Sequence, residues 1–120
     1  MPRTIEIDGR NLGPADAKAV LDGEDVTFTL SAAARARVEA SRTVVERALA
    51  EGRTIYGVNT GFGKLADTRI PPESLLALQR NLIRSHACGV GDPLPPEEVA
   101  LTLLFRANAL AVGRSGVRPR

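Results

Sequence analysis

Cysteine is nearly absent from this chain: Cys88 is the only one among 120 residues. No disulfide can therefore close within it, and no thiolate metal site can be assembled from its own residues. There is no tryptophan, and one tyrosine with three phenylalanines supplies all the aromatic surface. So few rings, with a formal net charge of only +2, give little to stack on bases or to attract a phosphate backbone, which argues against nucleic acid as a partner. The basic residues are almost all arginine and are scattered rather than clustered, as expected of solvated faces and local ion pairs. No apolar run approaches the roughly eighteen residues of a membrane span. The first residues, Met1-Pro2-Arg3-Thr4-Ile5-Glu6, lack the apolar core of an export signal. A reducing, cytoplasmic setting away from membranes is the expectation.

What little aromatic and glycine chemistry exists is concentrated in one stretch, Tyr56-Gly57-Val58-Asn59-Thr60-Gly61-Phe62-Gly63-Lys64. A lone phenol among glycines is a reactive group on a strap that can approach a ligand closely, at an entropic cost unless something holds it. A Walker loop is excluded, because Val58 stands where its first glycine belongs and Leu65 follows Lys64. A dinucleotide fingerprint needs a helix opening directly behind it. Pro71-Pro72 stops such a helix within two turns, and no acidic residue ends a second strand downstream. Tyr56 is left with two readings, an anchor for the loop through its hydroxyl or a chemical group.

The chain around this loop reads as mainly α with two short β-strands near the N-terminus. Residues 1–53 form a small strand and helix lobe, 54–70 the glycine-rich loop and 71–120 a helical region. Alternation predicts strands at Thr4–Asp8 and Val26–Thr29. Pro14 at a first helical position opens a short helix to Leu21 that Gly23 stops. Ser31 is a good N-cap for a long helix over Ala32–Glu51, with Ala34, Val38, Val45 and Leu49 on one face and Arg35, Arg37, Glu39, Arg42, Glu46 and Arg47 largely on the other; Gly52 closes it. Pro71-Pro72-Glu73 starts the next helix, with Gly89 beyond its last turn. Its stripe of Leu75, Leu78, Gln79, Leu82 and His86 is apolar except at Gln79 and His86. His86 is either a core histidine with a satisfied hydrogen bond or a ligand-binding imidazole. Residues 89–95 form a hinge-like connection before a last helix from Pro96 to near Gly113. That helix is too apolar for DNA recognition and, being apolar all round, is expected to be covered by a larger core or another subunit.

Four segments then carry a resemblance: Tyr56 to Leu65, Leu78-Gln79-Arg80-Asn81-Leu82, Ser85-His86-Ala87-Cys88-Gly89-Val90-Gly91, and Asn108 to Arg118. In this order and spacing they resemble the N-terminal part of the aromatic amino-acid lyases, and among them the histidine ammonia-lyases. The likeness runs through nearly all of residues 54–118; upstream it is one of layout.

The resemblance implies a helical, homo-oligomeric (in the family, tetrameric) enzyme that eliminates ammonia from L-histidine without oxidation to give trans-urocanate, in histidine catabolism. It implies an electrophile, 4-methylidene-imidazol-5-one (MIO), formed in the family from an internal Ala-Ser-Gly. This sequence has none, Arg114-Ser115-Gly116 being its nearest approach, so the chain looks like part of a longer enzyme and inactive alone. Tyr56 matches the family's loop tyrosine, the base that removes the β-proton. Since a free phenol titrates near about 10, a base working near neutrality needs cationic or dipolar neighbours. Ser85-His86 occupies the position that discriminates among aromatic substrates: phenylalanine lyases tend to carry Phe-Leu there, tyrosine lyases His-Leu and histidine lyases Ser-His. Gly63 is expected to bring its backbone near the substrate or the electrophile, Phe62 to pack, and Cys88 to be a small buried residue. The competing readings are a truncated interaction module docking through its last helix, and a piece of a tyrosine or phenylalanine lyase.

Overall fold

The computed structural model describes residues 2–119. The chain divides into two compact units, Met1–Val45 with Pro93–Arg120, and Glu46–Asp92.

In the first unit the alternating segments become β1 (Arg3–Ile7) and β2 (Val26–Leu30), paired in parallel from Arg3 opposite Val26 to Ile7 opposite Leu30. Parallel pairing requires a crossover, which is supplied by α1 (Pro14–Leu21). Pro14 opens α1, and the Asp16 carboxylate accepts the Gly13 N–H at 3.0 Å, satisfying a donor that the helix leaves orphaned. Asp16 also pairs with Arg3 at 2.7 Å, and Lys18 with Asp22 one turn on, which raises the Lys18 pKa chiefly through that hydrogen bond. Ile5, Ile7 and Val20 meet Leu104 in the core.

Leu104 belongs to α4 (Pro96–Ala111), which packs against α1. Leu101, Leu104, Asn108 and Ala111 make one covered stripe, three and four residues apart. Val99 and Leu103, on the other side of this all-round apolar helix, are exposed, and so is Phe105 at the edge of the stripe. Thus the full cover expected for it is met on one face by the chain itself.

Ser31 caps α2 (Ala32–Ala50), its Oγ accepting the Ala34 N–H at 3.0 Å, and Ala34 and Val38 are buried as their spacing predicts. Arg37 departs from the expected polar face. Its Nη2 donates to the carbonyls of Asp8 (2.6 Å) and Ala111 (3.4 Å), so the guanidinium closes the turn after β1 and the end of α4 together. In that turn the Asp8 carboxylate accepts the N–H groups of Arg10 (2.7 Å) and Asn11 (2.9 Å). The first of these bonds is the main cause of its lowered pKa. The N–H of Gly9 donates to Asn108 Oδ1 at 3.0 Å.

The segment after α4 lies along α2 through glycine. A Cβ at Gly113 would sit 2.6 Å from Arg37 Cβ, and one at Gly116 2.4 Å from a Val45 methyl. Gly116 in turn gives its N–H to Ser41 Oγ (3.0 Å) and accepts from Arg42 (3.3 Å).

In the second unit, α2 ends with Gly52 at φ +70°, its N–H on Leu49 O and that of Arg53 on Ala48 O, the expected glycine stop. Residues 72–74 form a single tight turn before α3 (Leu75–His86). The helix therefore begins after the predicted Pro71-Pro72-Glu73 and ends at His86, short of Gly89. Leu75, Leu78 and Leu82 are its half-buried stripe. No helix among the described residues is long and apolar enough to cross a membrane.

Candidate functional site

All the residues singled out for chemistry fall in the second unit. The loop that carries Tyr56 is held from inside by two polar side chains. Asn59 is buried: its Oδ1 accepts the Ile55 N–H (2.7 Å), its Nδ2 donates to Arg53 O (2.8 Å), and its own carbonyl accepts from Ile70 (2.8 Å). Thr60, fully buried, accepts the Gly57 N–H at 3.2 Å and donates to Gly61 O at 2.9 Å. An isolated bridge between Thr60 and Arg69 joins the middle of the loop to its end. These bonds replace the lost entropy of a glycine strap with satisfied backbone groups. Sequence reasoning passed over both residues. The available signal was the pair Asn59-Thr60 inside a glycine turn, where short polar side chains commonly bond the backbone.

Held this way, the loop presents rather than buries its phenol. Tyr56 is 65% exposed, and its ring meets Phe62 edge to face with centroids 6.0 Å apart. Phe62 therefore packs, as expected. Gly57, the next residue, has φ +76°, a conformation that turns the chain sharply and leaves its carbonyl free to face α3. Gln79 Nε2 donates to that carbonyl at 3.0 Å. Gly61 is required for a different reason, since a Cβ there would lie 2.6 Å from Leu65 Cβ. Around Gly63, also at positive φ (+58°), nothing lies within 4 Å of where a side chain would begin.

At the far end of α3, Ser85 and His86 are both exposed. The core-histidine reading is thus ruled out within this chain. Both side chains turn back on one carbonyl, Leu82 O, with Ser85 Oγ at 2.9 Å and His86 Nδ1 at 2.9 Å; Ser85 Oγ also lies 3.1 Å from Nδ1. A carbonyl can only accept, so the neutral imidazole carries its proton on Nδ1 and offers Nε2 as an acceptor. Cys88, expected to be buried, is exposed.

The structure therefore ties Tyr56 and His86 to one helix. Gln79 and His86 are seven residues apart, hence on one face and separated by two turns, about 10 Å along the axis. The loop is fastened to the first of them and the imidazole is the second. No group of three or more His, Cys, Asp or Glu side chains able to hold a metal exists among the described residues. The implied electrophile does not fit this chain's residues: Ser115 follows Arg114 instead of alanine, and Gly116 is packed on Val45 with its N–H bonded to Ser41.

Comparison with known proteins agrees with the resemblance. The family profile described as Aromatic amino acid lyase matches residues 12–120. The histidine ammonia-lyase of Geobacillus thermodenitrificans is 53% identical over 96% of this chain, which spans 23% of that protein. Among solved structures, the histidine ammonia-lyase of Trypanosoma cruzi superposes with a TM-score of 0.86 at 41% identity, covering 96% of this chain and 22% of its own. The ergothioneine-degrading ergothionase of Treponema denticola gives 0.88 at 30% identity, over 96% of this chain and 23% of its own. The chain thus spans less than a quarter of the length of these relatives.

Proposed function

Because the chain belongs to the aromatic amino acid lyase family, we propose that it supplies the base-bearing loop and the substrate-recognition pair of a histidine ammonia-lyase. Tyr56 takes a proton from the β-carbon of L-histidine. The electrons of that C–H bond form the Cα–Cβ double bond, ammonia leaves from Cα with the pair of the C–N bond, and the product is trans-urocanate. His86 Nε2 accepts the N–H of the substrate imidazole, and Ser85 holds its neighbour's ring by sharing Leu82 O. Gly63, with open space beside it, lets backbone approach the substrate. The MIO group supplies the family's electrophile, and no step assigned to this chain runs through it.

The observation that carries this reading is the attachment of the Tyr56 loop to the α3 face that ends in His86. The identity of about one half to histidine lyases favours histidine over other aromatic substrates, whereas the fold is shared with an enzyme named for ergothioneine. An acceptor at His86 Nε2 discriminates further, because a phenyl ring has no N–H to give it. The exposed apolar side of α4 supports a homo-oligomer, and the setting proposed is the cytoplasm, in histidine catabolism. The test is an assay of the complete polypeptide that bears this sequence, following the absorbance of urocanate. Ammonia release from L-histidine at a kcat/KM far above that from L-tyrosine or L-phenylalanine is expected; faster release from tyrosine would refute the role given to Ser85 and His86.

A further inference from the structure

α3 carries two polar interruptions on its apolar stripe, and only His86 is absorbed by the proposed recognition of substrate. The other, Gln79, is exposed, yet its amide is not idle: Nε2 lies 3.0 Å from the carbonyl oxygen of Gly57, the residue that follows Tyr56. The acceptor fixes the orientation of the amide, since a carbonyl facing it can only be met by the NH2 group. Among the described residues, every other hydrogen bond made by the loop's side chains joins it to its own neighbours between residues 53 and 70. Gln79 joins it to the helix that bears His86, two turns away on the same face.

We infer that Gln79 is a positioning residue that sets where the Tyr56 hydroxyl lies relative to His86, by tethering the Gly57 carbonyl to α3. This rests on the reading of Tyr56 as base. The Asn59 and Thr60 ties keep the loop folded but leave it free to swing as a unit. The Gln79 bond removes that swing, and with it the misplacements of the base that slow a proton transfer. A glycine at position 57 fits the role, because the φ of +76° found there is one that other residues rarely adopt.

The experiment uses Gln79→Leu in the complete polypeptide, with backbone hydrogen exchange and steady-state kinetics read together. Loss of one neutral hydrogen bond should speed exchange of the amides at 57–61 by a factor on the order of fivefold, and lower kcat by a similar factor with KM for L-histidine unchanged. Gln79→Lys, whose ammonium reaches the same carbonyl, should recover most of both. Gln79→Glu, of the same shape but without a donor, should behave as the leucine variant and replaces it if leucine prevents folding. Unchanged exchange at 57–61, faster exchange spread equally through α2 and α3, or faster loop exchange with unaltered kcat would each overturn the inference. Retained activity in Tyr56→Phe would remove the underlying reading and leave the exchange result standing.

Discussion

Replacing Tyr56 by phenylalanine in the complete polypeptide should lower turnover of L-histidine by about 10²–10⁴-fold, the range for loss of a positioned general base. The stability of the protein should hardly change. Tyr56 is 65% exposed, its hydroxyl has no hydrogen-bond partner among the described residues, and its edge-to-face contact with Phe62 needs only a ring. A structural anchor would behave in the opposite way, losing melting temperature while the folded fraction kept its activity. Turnover and thermal unfolding measured on one preparation separate the two. Unaltered turnover would take Tyr56 out of the mechanism.

The largest effect on stability is expected at Gly113. Its φ is +81°, and an alanine Cβ would stand 2.6 Å from Arg37 Cβ and 2.8 Å from the Arg37 backbone carbon, so α2 itself would have to move. A left-handed alanine costs about 1–2 kcal/mol, and forcing atoms into filled space about 1–3 kcal/mol more. Gly113→Ala should therefore destabilise by about 2–5 kcal/mol, a large share of the roughly 5–15 kcal/mol typical of a folded domain. Gly63→Ala is the internal comparison: φ is +58° but nothing lies within 4 Å, so only the backbone strain remains. Urea unfolding of both variants gives the difference. Equal shifts in midpoint would mean that the Gly113 contact does not hold the end of α4 on α2.

The parts of this fold that were legible in the sequence are those governed by local chemistry. Ser31 caps α2 because a hydroxyl there reaches an amide three residues on, and Pro14 and Gly52 begin and end helices through their own backbone preferences. The strands were visible in the alternation of Ile5 and Ile7. What was not legible depends on distant chain. Arg37 looked like one more solvated arginine, yet it serves carbonyls 29 and 74 residues away. Asn108 sits in an otherwise apolar helix, and its partner is the amide of Gly9, 99 residues off. α3 ends at His86 although no glycine stands there: the Ala87 N–H closes the last turn on Ile83 O, and Ala87 itself leaves the helical conformation with ψ at 61°.

The candidate site followed the same rule. Tyr56, Ser85, His86 and Gly63 could be named from sequence because their residue types and spacing resemble a family's. Of the frame that holds Tyr56, the Asn59-Thr60 pair left a local signal inside its glycine turn, whereas Gln79 across to α3 left none, because a side-chain bond to a distant backbone carbonyl has no pattern of spacing. Composition and periodicity report burial well and directed polar contacts poorly.

That the Tyr56 phenol and the His86 imidazole serve one substrate molecule is tested most directly by the crystal structure of the complete polypeptide, as Tyr56→Phe to stop turnover, soaked with L-histidine. The ligand imidazole is expected within hydrogen-bond distance of His86 Nε2, with the β-carbon facing residue 56. L-Histidine bound away from either side chain, or the two side chains opening into separate cavities, would contradict the account.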